Sequence, residues 1–528
     1  MRLLAASLTI LLLLAGSSEA LKLLAYNALF AHSHANFGGK IAETLGEAGH
    51  EVVMVSPQVD VSIRNYTSPH ISRTIYVGAN EGSKHWPGIA SEFAKMNLWI
   101  GSPDLTLIIN PIVALHRTLA SQCESTLFTP GLLDKLRAEK FDAAIGETYD
   151  LCAFVLFKLI GIDKYALTYS MTAMDYNFEV SGVPDQLSYV PSQVSKTMDV
   201  MSFGDRVANV VGNAVYRYLV DIQMKEYKPV IDRIFPELGF SKEILAEASF
   251  IFINYEPLID FPKLTTTKIV GIGGIQVPPT GKPLEEKWDK ILSLRPKTVL
   301  MAFGSIVQSA NMPDHFKNSI KAAFKKFPNT TFIWKYEDES HRITEGVPNL
   351  IETKWVPQSD LFRDGRLSVF ISHCGAGSTM EALMSGVPMI ATPLISDGPR
   401  NANVAKKMGT TIVLERDDLG KEEVLTAALS EMLNSDKYSK QAKHVAGMLR
   451  NQPMSPKDRL VKNVEFMAHY GPLKHLDHHG RQLNFIQYYL LDVLGASLGA
   501  VFVLLAIVYY TIKKIIGCFR VQKKTKKD

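Results

Sequence analysis

The sequence predicts an α/β protein of two doubly wound domains in tandem, followed by one membrane-crossing helix. Three observations lead there. A strand–helix–strand pattern opens the chain, and a second such set begins after a Gly/Pro-containing boundary near 254–279. An uncharged stretch of bilayer-crossing length lies close to the C-terminus. At 528 residues the chain exceeds what one ordinary core serves, and 46% hydrophobic with 21% charged residues is a globular composition.

Residues 1–20 read as a signal peptide: Arg2, an apolar stretch 3–14, then Ser18-Glu19-Ala20 as an A-x-A-like cleavage site. The apolar run 21–29 is the first strand. Helical spacing follows over 39–49 (Ile41, Leu45, Ala48), then a β-branched strand 51–55 ending at Pro57. Residues 141–145, 151–159 and 165–169 repeat strand, helix, strand. Over 203–235 the pattern is helical, with Val207, Val210, Val211, Val215, Tyr218 and Leu219 on one side. Such a stripe suits an interior helix or a membrane-touching one, and the interior reading is preferred. Past the boundary, strands are expected at 299–303, 331–334 and 367–372, with helices around 322–327, 379–384 and 450–470.

The expected division is a first domain at 21–260, a second at 261–470 and a juxtamembrane segment at 471–492. A membrane helix at 493–512 and a basic tail at 513–528 complete it. Tyr488, Tyr489, Tyr509 and Tyr510 would form an aromatic belt, and the tail's seven Lys and Arg favour a cytosolic side. The final Lys524-Thr525-Lys526-Lys527-Asp528 resembles a dilysine retrieval signal of the endoplasmic reticulum. The tail is net +6 against +4 for the whole chain, so the body is near neutral and nucleic-acid binding is not expected. His475, His478 and His479 read as a solvated linker, not a metal site. The four cysteines imply neither a disulfide framework nor a zinc site, although a Cys123–Cys152 bridge is open to the chain, and Cys518 is juxtamembrane. Asn65-Tyr66-Thr67 and Asn329-Thr330-Thr331 are glycosylation sequons.

The most informative stretch is Leu367 to Thr379, a hydrophobic strand running through His373-Cys374-Gly375-Ala376-Gly377 into a helix. That arrangement gathers backbone N–H groups and a helix dipole where a phosphate can bind. It is not a nicotinamide fingerprint, because Met380 stands at the third glycine position. Taken with Trp355-Val356-Pro357-Gln358, Ser378, Glu381, Pro388, Pro393 and Asp397, the stretch closely resembles the signature of family 1 UDP-glycosyltransferases, with a nematode flavour.

The resemblance implies a GT-B fold, two Rossmann-like domains facing a cleft. It also implies a membrane-anchored, lumenal, glucuronosyltransferase-like enzyme of the endoplasmic reticulum, single-pass type I. Trp355 would stack on uracil and Gln358 touch the nucleoside. Ser305 would bind phosphate, and His373 with Gly375, Gly377 and Ser378 would hold the diphosphate. Glu381 would bind ribose and Asp397 the sugar. The donor co-substrate would be UDP-glucose, preferred, or UDP-glucuronate, with no bound cofactor and no metal. In the first domain, the pattern Ser33-His34-x-x-Phe37 places the general base at His34, with His32 its rival. A histidine suits the task because it titrates near operating pH. Glu147, at the end of a strand, would orient it; Asp142 and Asp150 flank that position. The acceptor would be small and lipophilic, met by residues such as Phe30, Phe37, Tyr176 and Phe178, in a conjugation or detoxification role. A homo- or hetero-oligomer is left open.

One departure stands out. The family's Asp-Gln pair appears as Asp397-Gly398, and the lost side-chain hydrogen bonds would loosen the grip on the sugar. That opens an alternative, a weak or inactive UDP-binding partner of an active relative, against which the retained His34 and Glu147 argue.

Overall fold

The computed structural model describes residues 20–94, 98–101, 106–172, 180–277 and 283–524. Residues 1–19 of the expected signal peptide, Tyr176, Phe178 and tail residues 525–528 lie outside that set. The chain forms two compact units, Met1–Leu476 and Asp477–Asp528.

The first unit holds two parallel sheets. Seven strands form the first: β1 (Lys22–Tyr26), β2 (Glu51–Pro57), β3 (Arg73–Val77), β4 (Ala143–Glu147), β5 (Tyr165–Tyr169), β6 (Phe250–Ile253) and β7 (Ile269–Gly271), in spatial order 3-2-1-4-5-6-7. Six form the second: β8 (Lys297–Ala302), β9 (Thr330–Lys335), β10 (Leu350–Thr353), β11 (Leu367–Ser372), β12 (Met389–Ala391) and β13 (Thr411–Val413), in order 10-9-8-11-12-13. These strands are near-continuous apolar runs because helices cover both faces. Leu24, Tyr26 and Val55 point to one core of the first sheet, Leu23, Ala25 and Met54 to the other. In the second sheet Val299, Met301 and Ile371 alternate with Leu300, Ala302 and Phe370 in the same way.

The helices that carry the site, flank it or form the apolar C-terminal segment are α1 (His32–Glu47), α2 (Thr106–Leu127), α3 (Cys152–Leu159), α4 (Phe203–Ile234), α5 (Gln358–Asp364), α6 (Ala376–Ser385), α7 (Gly398–Lys407), α8 (Pro456–Tyr470) and α9 (Leu491–Lys524). Helix α1 starts at His32, well before the 39–49 that spacing suggests. Both β7 and α8, placed by sequence in the second domain, lie on the first sheet. Strand β7 pairs with β6, and α8 seals one face through Leu460, Val464 and Met467. Phe37, offered as an acceptor contact, is wholly buried in that same core.

Helix α4 corrects the interior reading of its valines. Its buried face carries Asn209, Asn213, Gln223, Tyr227 and Ile231, while Val207, Val210, Val211, Val215 and Tyr218 are exposed.

Cys123 on α2 and Cys152 at the start of α3 form a disulfide, Cα atoms 5.4 Å apart and 29 residues apart in sequence. Closing a loop of that length restricts the unfolded chain by about 3.6 kcal/mol. The double variant Cys123→Ser/Cys152→Ser is expected to lose about that much unfolding free energy in a denaturant titration; an unchanged midpoint would contradict it. Asn65 and Asn329 of the two sequons are exposed.

In the second unit, α9 contains the apolar stretch Leu491–Gly517, 27 residues whose most apolar 18-residue window has mean hydropathy 2.4. It begins before the expected 493 and continues past 512 as one helix.

Candidate active site

Ligands of open parallel sheets bind beyond the carboxyl ends of strands, where the strand order reverses. In the first sheet that switch lies between β1 and β4. Residue 34 follows β1 and residue 147 ends β4, so the topology brings together two groups 113 residues apart. His34, in the first turn of α1, places Nδ1 2.8 Å from Glu147 Oε1. A carboxylate only accepts hydrogen bonds, so Glu147 selects the imidazole tautomer protonated on Nδ1 and leaves the Nε2 lone pair for a substrate proton. His32, the rival base, is exposed.

Ser170, just beyond β5, completes this arrangement. Its backbone N–H donates to Glu147 Oε1 (3.1 Å), and its Oγ lies 2.8 Å from His34 Nδ1. The sequence carries no signal for Ser170, since the contact arises only because β5 pairs beside β4. Phe30 and Tyr149 pack against the imidazole, ring centroids 4.6 and 4.7 Å away. The flanking carboxylates serve structure. Asp150 is enclosed and accepts from Tyr26 Oη, Tyr227 Oη and the Cys152 N–H; burial pushes it up to about 6. Asp142 accepts from the Lys22 N–H at the opposite end of the sheet.

The second sheet switches between β8 and β11, where Ser305 and His373 follow the two strands. Gly304 has φ +83°, and a Cβ there would stand 2.7 Å from the His373 ring, so only glycine allows this approach. Lys335 Nζ donates to the Gly304 carbonyl (2.6 Å). Burial, aided by the Lys335 charge, lowers His373 to about 4. It is therefore neutral near pH 7 and can offer an N–H but no charge; its Nδ1 has no partner. Gly375 caps α6 without a side-chain hydrogen bond, leaving the first amides of that helix, through Gly377 and Ser378, for an anion.

Glu381, about one and a half turns into α6, is held by Gln358 Nε2 (2.5 Å) and by Ser359 Oγ. Burial raises its pKa. Gln358 also donates to Ser378 Oγ at 3.2 Å. Nearby, Trp355 is 70% exposed, a large aromatic face open to stack on a base. Ser359 and Lys335 are further members that motif reading missed.

Asp397, just ahead of α7, joins the two halves. It is buried with Oδ2 unpartnered, hydrogen-bonded by the Asn401 side chain and the Thr172 backbone of the first domain. Burial raises its pKa, and its proximity to His34 opposes that rise.

Residues 22–528 match the family model described as "UDP-glucoronosyl and UDP-glucosyl transferase". The chain belongs to this family. It is 28% identical over 489 residues to the Caenorhabditis elegans protein ugt-48, named as a putative UDP-glucuronosyltransferase, covering 90% of this chain and 91% of that one. Human UDP-glucuronosyltransferase 1A6 is 26% identical, over 90% of this chain and 87% of its own. The crystal structure of a glycosyltransferase of kitacinnamycin superposes with a TM-score of 0.56 at 15% identity, covering 85% of this chain and 98% of that one. The two parallel-sheet domains are thus a glycosyltransferase fold, GT-B as expected, and the protein is a UDP-glycosyltransferase of the glucuronosyltransferase-like class with a UDP-sugar as donor.

Proposed function

We propose that this enzyme transfers a hexose from UDP-glucose, or from UDP-glucuronate, to a hydroxyl of a small lipophilic acceptor with inversion at the anomeric carbon. The observation that carries this reading is the His34–Glu147 pair opposite Asp397 and the amides of α6. His34 Nε2 takes the acceptor's proton. The freed oxygen attacks the anomeric carbon while the bond from that carbon to the phosphate oxygen breaks, and UDP leaves with the electron pair. The α6 amides, Ser305 and neutral His373 receive the charge that develops on the diphosphate. Trp355 stacks on the base, Gln358 touches the nucleoside and Glu381 accepts from the ribose hydroxyls. Asp397 grips the sugar.

Preference for neutral glucose is supported by Arg400. This cation, on the α7 turn after Asp397, is charge-paired with Asp260 through Nη1 (2.8 Å) and donates to Pro191 O and Thr172 Oγ1, with Nη2 buried and unpartnered. A glucuronate carboxylate would have to compete with that buried partner. Phe30 and Tyr149 beside the base favour an aromatic or otherwise apolar acceptor.

Helix α9 serves as a single membrane anchor of type I orientation, with the body in the lumen of the endoplasmic reticulum. The Cys123–Cys152 disulfide supports an oxidising compartment.

A donor screen of the full-length chain, with products weighed by mass spectrometry, tests this reading. Hexose addition from UDP-glucose is expected; addition from UDP-glucuronate alone would overturn the donor preference. Ser170 is a positioning residue here. Ser170→Ala is expected to lower kcat roughly tenfold with KM for the UDP-sugar unchanged. It should also shift the acidic limb of the pH–rate profile, with Ser170→Thr restoring both. An unshifted profile would assign Ser170 to packing alone.

A further inference from the structure

The outer face of α4 is built the wrong way round for water. Helix surfaces normally turn their apolar stripe to the core. Here the inward face is polar along the first part of the helix, where Asn209 and Asn213 are the buried residues, and turns mainly apolar only beyond it, at Tyr216, Ile222, Tyr227 and Ile231. Asn209 bonds Ser192 N, Leu187 O and Val190 O, Asn213 and Arg217 bond Asp185, and Gln223 Nε2 donates to Thr148 O and Tyr149 O. These contacts fix the helix's rotation, and they leave the apolar stripe outside.

Phe203 is 76% exposed, and Val207, Val211, Val215 and Tyr218 are each at least 40% exposed. At about 100° per residue these positions share one arc, and no charged residue falls on it between Phe203 and Tyr218. The stripe runs for about 24 Å at 1.5 Å per residue. Val200, at 89% exposure, extends it toward the preceding loop. Its two ends are aromatic and each has a cation beside it. Arg206 lies 6.0 Å from the Phe203 ring and Lys225 4.9 Å from the Tyr218 ring. An apolar stripe with aromatic and basic residues at its ends is the pattern of a helix lying in a lipid–water interface.

The chain itself supplies the occupant. The body ends at Leu476 and the apolar helix begins at Leu491. The intervening residues 477–490 span at most about 50 Å when fully extended. Once α9 is anchored, the body cannot leave the vicinity of a bilayer, and a weak interfacial contact is reinforced by that tether. We propose that the exposed face of α4, Phe203 to Tyr218, rests in the surface of the lipid bilayer. The proposal rests on the anchor reading of α9. The same helix reaches the base from its other side, since Gln223 holds the Tyr149 carbonyl and the Tyr149 ring lies against His34.

The test uses full-length protein in phosphatidylcholine–phosphatidylserine vesicles containing doxyl-labelled lipid. On a Cys518→Ser background, an NBD fluorophore is placed at Val211→Cys, at Leu294→Cys on the second domain, or at Leu505→Cys in α9. Blue-shifted emission at 211 quenched by doxyl lipid, with water-like emission at 294, is the expected result. Water-like, unquenched emission at 211 would overturn the proposal. So would a blue shift at 211 that doxyl lipid does not quench, which would mean that a second copy covers the face. Quenching at 505 reports on the anchor separately. If 505 alone is quenched, the anchor stands and the α4 contact falls; if 211 alone is quenched, the α4 contact stands and the anchor falls.

Discussion

His34→Ala leaves the protein able to bind UDP but slows sugar transfer by roughly a thousandfold. The two halves of that result come from different sheets. The proposed diphosphate and nucleoside positions, His373, α6, Gln358, Glu381 and Trp355, are supported by the second sheet, apart from His34 on the first. The proposed proton acceptor, by contrast, has no substitute in place. Asp150 is occupied by two tyrosines and the Cys152 N–H, and His32 is exposed without the carboxylate. Calorimetric titration with UDP and single-turnover transfer, run on the same sample, separate the two halves. Glu147→Gln is expected to fall between that variant and the unaltered chain, because an amide can present the wrong tautomer of His34. Full transfer by His34→Ala would remove the base assignment altogether.

Gly398→Gln, which restores the family's Asp-Gln pair, is expected to harm the enzyme and not to improve it. A Cβ at 398 would stand 2.7 Å from the His373 carbonyl oxygen, a backbone atom that cannot swing aside. The neighbouring Cys374 carbonyl is already bound by Asn401 Nδ2 at 3.0 Å, so the segment from 373 to 375 is held from the α7 side. Forcing a side chain in must displace the turn that leads into α6. Overpacking of this kind costs about 1–3 kcal/mol of stability, and here the strain falls on the diphosphate turn. The thermal unfolding temperature should drop, and UDP affinity should weaken about tenfold, corresponding to roughly 1.4 kcal/mol. A rise in kcat/KM for the UDP-sugar would show instead that glycine at 398 is merely a lost contact.

The strands are readable because buried parallel strands are uninterrupted apolar runs, as in 141–145 and 367–372. The start of α1 is not. Ala31 caps it without any side-chain hydrogen bond, so no Ser, Thr, Asp or Asn at the cap position marks where the helix begins. Periodicity finds the valine stripe of α4 but cannot say which way it faces. That depends on the polar loop at 185–192, whose backbone and Asp185 need Asn209 and Asn213. The second-domain site is legible because most of its members lie within one stretch from Trp355 to Asp397. Ser170 and Lys335 are not, because each reaches its partner across neighbouring strands. Helix α8 escapes the domain division because its apolar face answers to a sheet whose strands lie far earlier in the chain.

The central claim is that the two sheets together transfer sugar, beyond holding the nucleotide. Acceptor-dependent UDP release by the full-length chain tests it most directly, with a UDP-sugar supplied alone and then with a panel of phenols. UDP is predicted to appear only when an acceptor is present and in step with glycosylated product. Saturable UDP binding with no release for any acceptor and donor would contradict it.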